Sequence, residues 1–148
     1  MAIKFGKNIA QGLLGNFSEY DLKKATEEYG KFLMEDEIIE KAFKLLRDAL
    51  VITSKRLLFS DRQGLSGEKQ RIISINLHSI YNVTVETAGS ALDDSEITIN
   101  YIKTPILNAR TLEYDSHTFE FPKNFDVAEL YRYFMTLAYN NVQTMNKL

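Results

Sequence analysis

His78 and His117 are the only imidazoles in the chain, and 39 residues separate them. A histidine-based triad or a metal centre needs further ligands brought to the same point. Neither histidine stands beside such partners, so each is expected as a surface or hydrogen-bonded side chain on a strand edge. The run Asp93-Asp94-Ser95-Glu96 offers carboxylates, but it lacks the alternating ligands and the glycine of a calcium loop. A solvated turn is expected there. Glu27-Glu28 and Glu35-Asp36-Glu37 fall at helix and strand ends, where acidic groups are commonplace. Gly64 and Gly67 are not followed by the Lys-Ser/Thr pair of a phosphate-cradling loop. With no cysteine, disulfides, thiolate zinc sites, iron–sulfur clusters and cysteine nucleophiles are excluded. These residues predict no catalytic site, no metal and no cofactor.

The charge pattern is more informative. The 148 residues carry 18 basic and 20 acidic groups, for a net charge of −2. Residues 41–71 hold an excess of five positive charges, while residues 72–148 hold an excess of four negative ones. Lys41, Lys44, Arg47, Lys55 and Arg56 are therefore the candidates for an anionic ligand or for charge steering. Such a basic stretch meets phosphates, or the acidic part of a second copy. The negative total argues against nucleic acid, which calls for a clear basic excess. Apolar types make up 45% and charged types 26%, ordinary globular usage. The length suits one domain with a core that needs no staple. No apolar run approaches the roughly 20 residues of a membrane span. No signal-like apolar stretch follows Lys4 and Lys7, so a cytoplasmic domain is expected.

The elements that position these groups fall into three parts: a helical extension over residues 1–33, a β-rich body over 34–141, and a frayed tail over 142–148. Ser18 is a suitable N-cap, with Phe17 and Leu22 at the two hydrophobic-staple positions and Asp21 in a weaker form of the capping box. Leu22, Ala25, Tyr29 and Phe32 then form one apolar stripe. The β-rich body predicts about seven strands, at 37–47, 48–53, 56–61, 69–76, 79–88, 95–102 and 111–121. Period-two alternation marks Tyr81–Thr87 and Ile97–Tyr101, while Leu50-Val51-Ile52 and Leu57-Leu58-Phe59 are short apolar runs suited to a hairpin. Short turns between neighbours imply antiparallel pairing. In the last strand Leu112 and Tyr114 have one parity and Phe119 and Phe121 the other, which predicts a bulge near Asp115-Ser116-His117. A final helix over 125–141 has Asp126 as N-cap with Glu129 three residues on, Phe125 and Leu130 as staple, and a broad face of Val127, Leu130, Tyr131, Phe134, Leu137 and Ala138.

Specific segments are also familiar. Gly12-Leu13-Leu14-Gly15-Asn16 before a Ser-capped helix, and Glu40-Lys41-Ala42-Phe43-Lys44-Leu45-Leu46-Arg47-Asp48, resemble the start and first strand of the bacterial pleckstrin homology domain family. Thr53-Ser54-Lys55-Arg56-Leu57, Asp61-Arg62-Gln63-Gly64-Leu65-Ser66-Gly67, Val83-Thr84-Val85-Glu86-Thr87-Ala88-Gly89, Phe119-Glu120-Phe121 and Phe125-Asp126-Val127 continue the resemblance in order over roughly residues 12–140. It implies a mainly β fold with some α content, a PH-like antiparallel barrel of about seven strands capped by a C-terminal helix. The stretch 103–115 looks longer than the family's usual link between its sixth and seventh strands. The resemblance implies no enzymatic activity and points to ring-like homo-oligomers. The phosphoinositide motif of pleckstrin homology domains, a Lys late in strand one and a Lys/Arg-x-Arg on strand two, is incomplete, because Ala49-Leu50-Val51-Ile52-Thr53 supplies no basic pair.

The expected role is a non-enzymatic binding and scaffolding module that forms a homo-oligomer. Ile9, Leu13, Leu14 and Phe17, apolar beyond what one small barrel needs, are the interface candidates, with the five basic residues steering. The alternative is a peripheral module that uses the basic cluster at residues 41–71 on anionic lipid.

Overall fold

The computed structural model describes residues 19–63, 69–89 and 94–147. They divide into two units, one ending at Asn76 and the other beginning at Leu77. The interface candidates Ile9, Leu13, Leu14 and Phe17, the capping Ser18 and the Gly64–Gly67 loop lie outside the described residues.

In the first unit, helix α1 (Glu19–Tyr29) ends in a 3-10 turn (Gly30–Phe32). Strands β1 (Ile39–Lys44), β2 (Ala49–Thr53), β3 (Arg56–Gln63) and β4 (Lys69–Asn76) follow as an antiparallel sheet in chain order. Ala25 and Tyr29 of α1 join Ala42, Val51 and Leu58 in one buried cluster. The opposite parity, Phe43, Leu50, Ile52, Leu57, Phe59 and Ile75, is buried as well. Strands covered on both faces read as continuous apolar runs, which is why β2 and β3 do not alternate. The predicted stripe of α1 is narrower than its spacing implies, since Leu22 and Phe32 are each 38% exposed. Only the middle of the stripe belongs to the sheet cluster. Strand β1 is shorter than 37–47 because Glu37 turns away into an ion pair and residues 45–48 form a turn closed by Leu45 N–H donating to Asp48 O (2.7 Å).

In the second unit, a 3-10 turn (Leu77–Ser79) leads into β5 (Ile80–Glu86), β6 (Ser95–Ile102) and β7 (Tyr114–Phe121), an antiparallel sheet closed in chain order by helix α2 (Val127–Met145). Val83, Ile97, Ile99, Phe119 and Phe121 form the buried parity. The bulge predicted near Asp115-Ser116-His117 is not there: β7 keeps unbroken register with β6 from Phe121 opposite Ser95 to Tyr114 opposite Ile102. The parity conflict is resolved because Leu112 precedes the strand and Tyr114 lies on the exposed parity, its ring edge-on to Tyr81 at 5.3 Å. The register shifts fall instead in β1, between Ile39 and Lys41, and in β5, between Ile80 and Asn82.

The expected frayed tail is also corrected, since α2 continues to Met145. Asn141 is buried and its Nδ2 donates to Leu77 O (2.7 Å) and Ile80 O (2.8 Å), so the last turns are tied to the start of β5. At the other end Asp126 Oδ1 accepts from Glu129 N–H (3.3 Å), the expected cap. Among the described residues, seven antiparallel strands in two sheets, with a helix before the first and after the last, make this a mainly β fold with helical caps. No helix among the described residues is long and apolar enough to cross a membrane.

Candidate functional site

The first unit carries its charged groups in two contrasting settings. Asp36 adopts a left-handed backbone (φ 65°), tolerated by a short polar side chain, and the turn from Met34 to Glu37 closes with Glu37 N–H donating to Met34 O (3.1 Å). Glu37 is thereby buried. Its carboxylate accepts from Arg56 Nε (2.9 Å), Arg56 Nη2 (2.9 Å), Thr53 Oγ1 (2.6 Å) and Met34 N–H (2.9 Å). Burial by itself would raise the Glu37 carboxyl, but the bonds from Arg56, Thr53 and Met34, with the Arg56 charge, outweigh it and hold the pKa at about 2. Arg56 Nη2 also donates to Phe32 O (2.7 Å). One guanidinium thus joins the turn after α1 to the β2–β3 hairpin.

The second setting is a cleft of about 220 Å3 between α1 and the β1–β2 turn. Ala25, Ala42 and Ala49 contribute small apolar side chains to its lining, and Lys24, Lys44 and Arg47 bring cations from α1, β1 and the turn. Glu28 and Asp48 are its acidic members. Lys24, Lys44 and Arg47 are exposed, and among the described residues none of the three stands in an ion pair of the kind that holds Arg56 to Glu37 or Arg71 to Asp61. Leu46, at the tip of the turn, is 44% exposed. Phe43, Leu45 and Leu46 complete the apolar part of the lining, so the cleft is mixed in character and suits an anionic group with some apolar surface.

The five basic candidates therefore separate. Lys44 and Arg47 line the cleft, and Lys55 is exposed in the β2–β3 turn. Lys41 is buried in β1, only 6% exposed, and Arg56 is held by Glu37. The linear charge pattern grouped all five, because it cannot show which face of β1 a residue takes once the register shifts. It missed Lys24, which α1 alone brings to the cleft, and Glu37, read as one of the commonplace acidic groups at a strand end. The Ser/Thr/Glu spacing around the hairpin gave no sign of a buried acceptor.

The second unit presents an acidic counterpart. Register places Glu86 opposite Glu96 and Glu96 opposite Glu120, a row of three carboxylates across β5, β6 and β7. Next to it run Thr84, Thr98 and Thr118, with Thr98 Oγ1 and Thr118 Oγ1 2.9 Å apart. Like charges directly opposite each other are destabilising. His78 is exposed in the turn before β5, and the His117 ring leans on Phe119 at 4.7 Å. Among the described residues no group of three or more His, Asp or Glu side chains is gathered as metal ligands would be.

The sequence model of the bacterial PH domain family matches residues 8–138. The uncharacterized protein YjqA of Bacillus subtilis (strain 168) is 47% identical over 88 residues, spanning 60% of this chain and 70% of that protein. Among solved structures, a pleckstrin homology domain from Shewanella amazonensis SB2B superposes with a TM-score of 0.60 at 32% identity, over 86% of this chain and 96% of the other. A DUF1696 family protein with a pleckstrin-homology domain from Shewanella loihica PV-4 gives a TM-score of 0.55 at 26% identity, over 79% and 92%.

Proposed function

We propose, on the premise that this chain belongs to the bacterial PH domain family, that it is a non-enzymatic binding and scaffolding module that assembles with copies of itself in the cytoplasm. The observation that carries this reading is a local contrast in exposed charge. In the first unit, whose charges otherwise balance, exposed Lys24, Lys44 and Arg47 line a mixed polar and apolar cleft, while the second holds an acidic excess that includes the Glu86–Glu96–Glu120 row. Surfaces that are complementary rather than alike favour a head-to-tail contact, which closes into a ring where the rotation allows. Light scattering on a size-exclusion column, at low and high salt, tests it. A discrete multimer that loosens with salt is the expected result. A monomer at every protein and salt concentration would overturn the reading.

A second reading, a peripheral module on anionic lipid, rests on exposed Lys44, Arg47 and Lys55, at about 1 kcal/mol per charge near such a surface. The burial of Lys41 and the pairing of Arg56 leave it fewer charges than the sequence pattern promised. Replacing Lys44, Arg47 and Lys55 by Ala should abolish sedimentation with phosphatidylglycerol vesicles if this second reading holds.

A further inference from the structure

Helix α2 carries more apolar surface than its own sheet covers. Val127, Leu130, Tyr133, Phe134, Leu137 and Asn141 belong to its buried inner face. Beside that face runs a second stripe of Ala128, Tyr131, Met135, Tyr139 and Val142. With 3.6 residues per turn, all five fall within an arc of about 80°. Tyr139 is 60% exposed and Ala128 is exposed, while Tyr131, Met135 and Val142 are half-buried. The sequence pattern puts Tyr131 on the inner face; the structure turns Tyr133 inward and leaves Tyr131 on this flank. A helix on the surface of a globular domain needs one apolar stripe, towards its own core, so a second marks a surface that a partner covers. The partner is selected by the character of the stripe. Glu129 and Arg132 are the only charged side chains on α2, so neither an anion nor a basic surface finds a row of opposite charge here. What fits is another apolar stripe, and from Tyr131 to Val142 the face runs about 17 Å.

Residues 1–18, ahead of α1, hold a stripe of that kind in their sequence. Phe5, Ile9, Leu13 and Phe17 recur at four-residue steps, the spacing of Tyr131, Met135 and Tyr139. On a helix they would run about 18 Å, the length of the α2 face. Lys4, Lys7, Asn8 and Gln11 fall on the opposite side of the same wheel. Gly6, Gly12 and Gly15 make this stretch a weak helix by itself, so a surface to pack on is what would order it. We propose that residues 5–17 of one copy dock as an amphipathic helix along the outer stripe of α2 in the next copy, apolar stripe to apolar stripe. This rests on the self-assembly reading and names its contact. In the single chain Tyr139 stays 60% exposed, which is why a second copy supplies the cover. The segment leads into the first unit and the stripe belongs to the second, so the contact is heterologous and each copy offers one of each. Packing of two such helices is a recurring mode of recognition, read as anchors at three- and four-residue steps.

The test uses the full chain in two variants. Ile9→Asp with Leu13→Asp spoils the segment and keeps the α2 stripe. Tyr139→Asp spoils the stripe and keeps the segment. Tyr139 is exposed, and thermal unfolding within a few degrees of the parent checks that both variants fold. Each variant alone should have its dissociation constant raised about 30-fold or more, as for loss of an interface hot spot. Mixed one to one, the two variants should form a dimer and nothing larger, because one intact segment then meets one intact stripe. A parent multimer that survives either variant, or two monomeric variants whose mixture stays monomeric, would overturn this contact and leave self-assembly standing. A monomeric parent would overturn self-assembly itself. If that monomer sediments with phosphatidylglycerol vesicles and the Ile9→Asp, Leu13→Asp variant does not, the segment serves a membrane and the docking proposal is wrong.

Discussion

Each unit ties a helical segment to a sheet through a polar anchor, and the two anchors choose opposite chemistry. In the first, Arg56 bridges Glu37 and Phe32 O, so a charge pair holds the turn after α1. In the second, Asn141 reaches Leu77 O and Ile80 O, so a neutral amide holds the end of α2. A buried ion pair gains little over a well-packed apolar pair, because desolvation of both charges offsets their attraction. It is costly to break by halves. A neutral amide asks less desolvation and leaves only ordinary orphaned carbonyls when lost. The first anchor should therefore be the more fragile to single substitution and the only one sensitive to acid.

Three substitutions and one acid titration break or sharpen that contrast. The largest effect is expected for Arg56→Met, which strands the Glu37 carboxylate and should cost about 3–5 kcal/mol in urea unfolding. Adding Glu37→Met should restore most of that loss, since no charge is then left unpartnered. A double variant as unstable as the single would refute the offsetting argument. Acid titration sharpens the same point. The Glu37 pKa is about 2 in the folded protein against 4.5 as its ordinary value. Between these values the unfolded chain binds more protons, so stability rises with pH there. The contribution is complete above about pH 4.5 and disappears as pH falls towards 2. Comparing urea unfolding at pH 6 and pH 3 should show a loss in the parent that is absent from the double Met variant.

Next in size, Asn141→Leu leaves two carbonyls short of a donor and should cost about 1–3 kcal/mol, with no dependence on pH over this range. A loss that grew in acid would show that the second anchor is coupled to titrating groups. The smallest of the three is Asp126→Ala, which removes the cap of α2 and should cost about 1 kcal/mol in thermal unfolding. A change near zero would mean that the Phe121–Phe125 ring stack, at 4.6 Å, sets the helix start without the cap.

Much of the architecture was legible from local pattern. Alternation at Ile97, Ile99 and Tyr101 located β6, paired apolar runs located β2 and β3, and Asp126 with Glu129 located the start of α2. Each signal is carried by neighbouring residues, and pleat, hairpin and cap are decided by neighbours. The candidate site was only half visible. Lys44 and Arg47 stood out as part of a basic run, but Lys24 joins them solely because α1 packs Ala25 and Tyr29 over Ala42 and Val51.

By itself the sequence determined the strand count, the two capping helices, the family resemblance and the uneven charge. Only the tertiary structure decided which charges reach solvent. Lys41 and Lys44 are three residues apart on one strand, yet the first is buried and the second exposed. Glu35 and Glu37 are two apart, yet only the second turns inward to Arg56. The physical reason is that exposure and partnership depend on groups distant in sequence, brought close by register and packing, while pleat and helix depend on neighbours alone. The cleft beside the β1–β2 turn exists for the same reason: it is lined by residues of α1, β1 and the turn that local periodicity cannot pair.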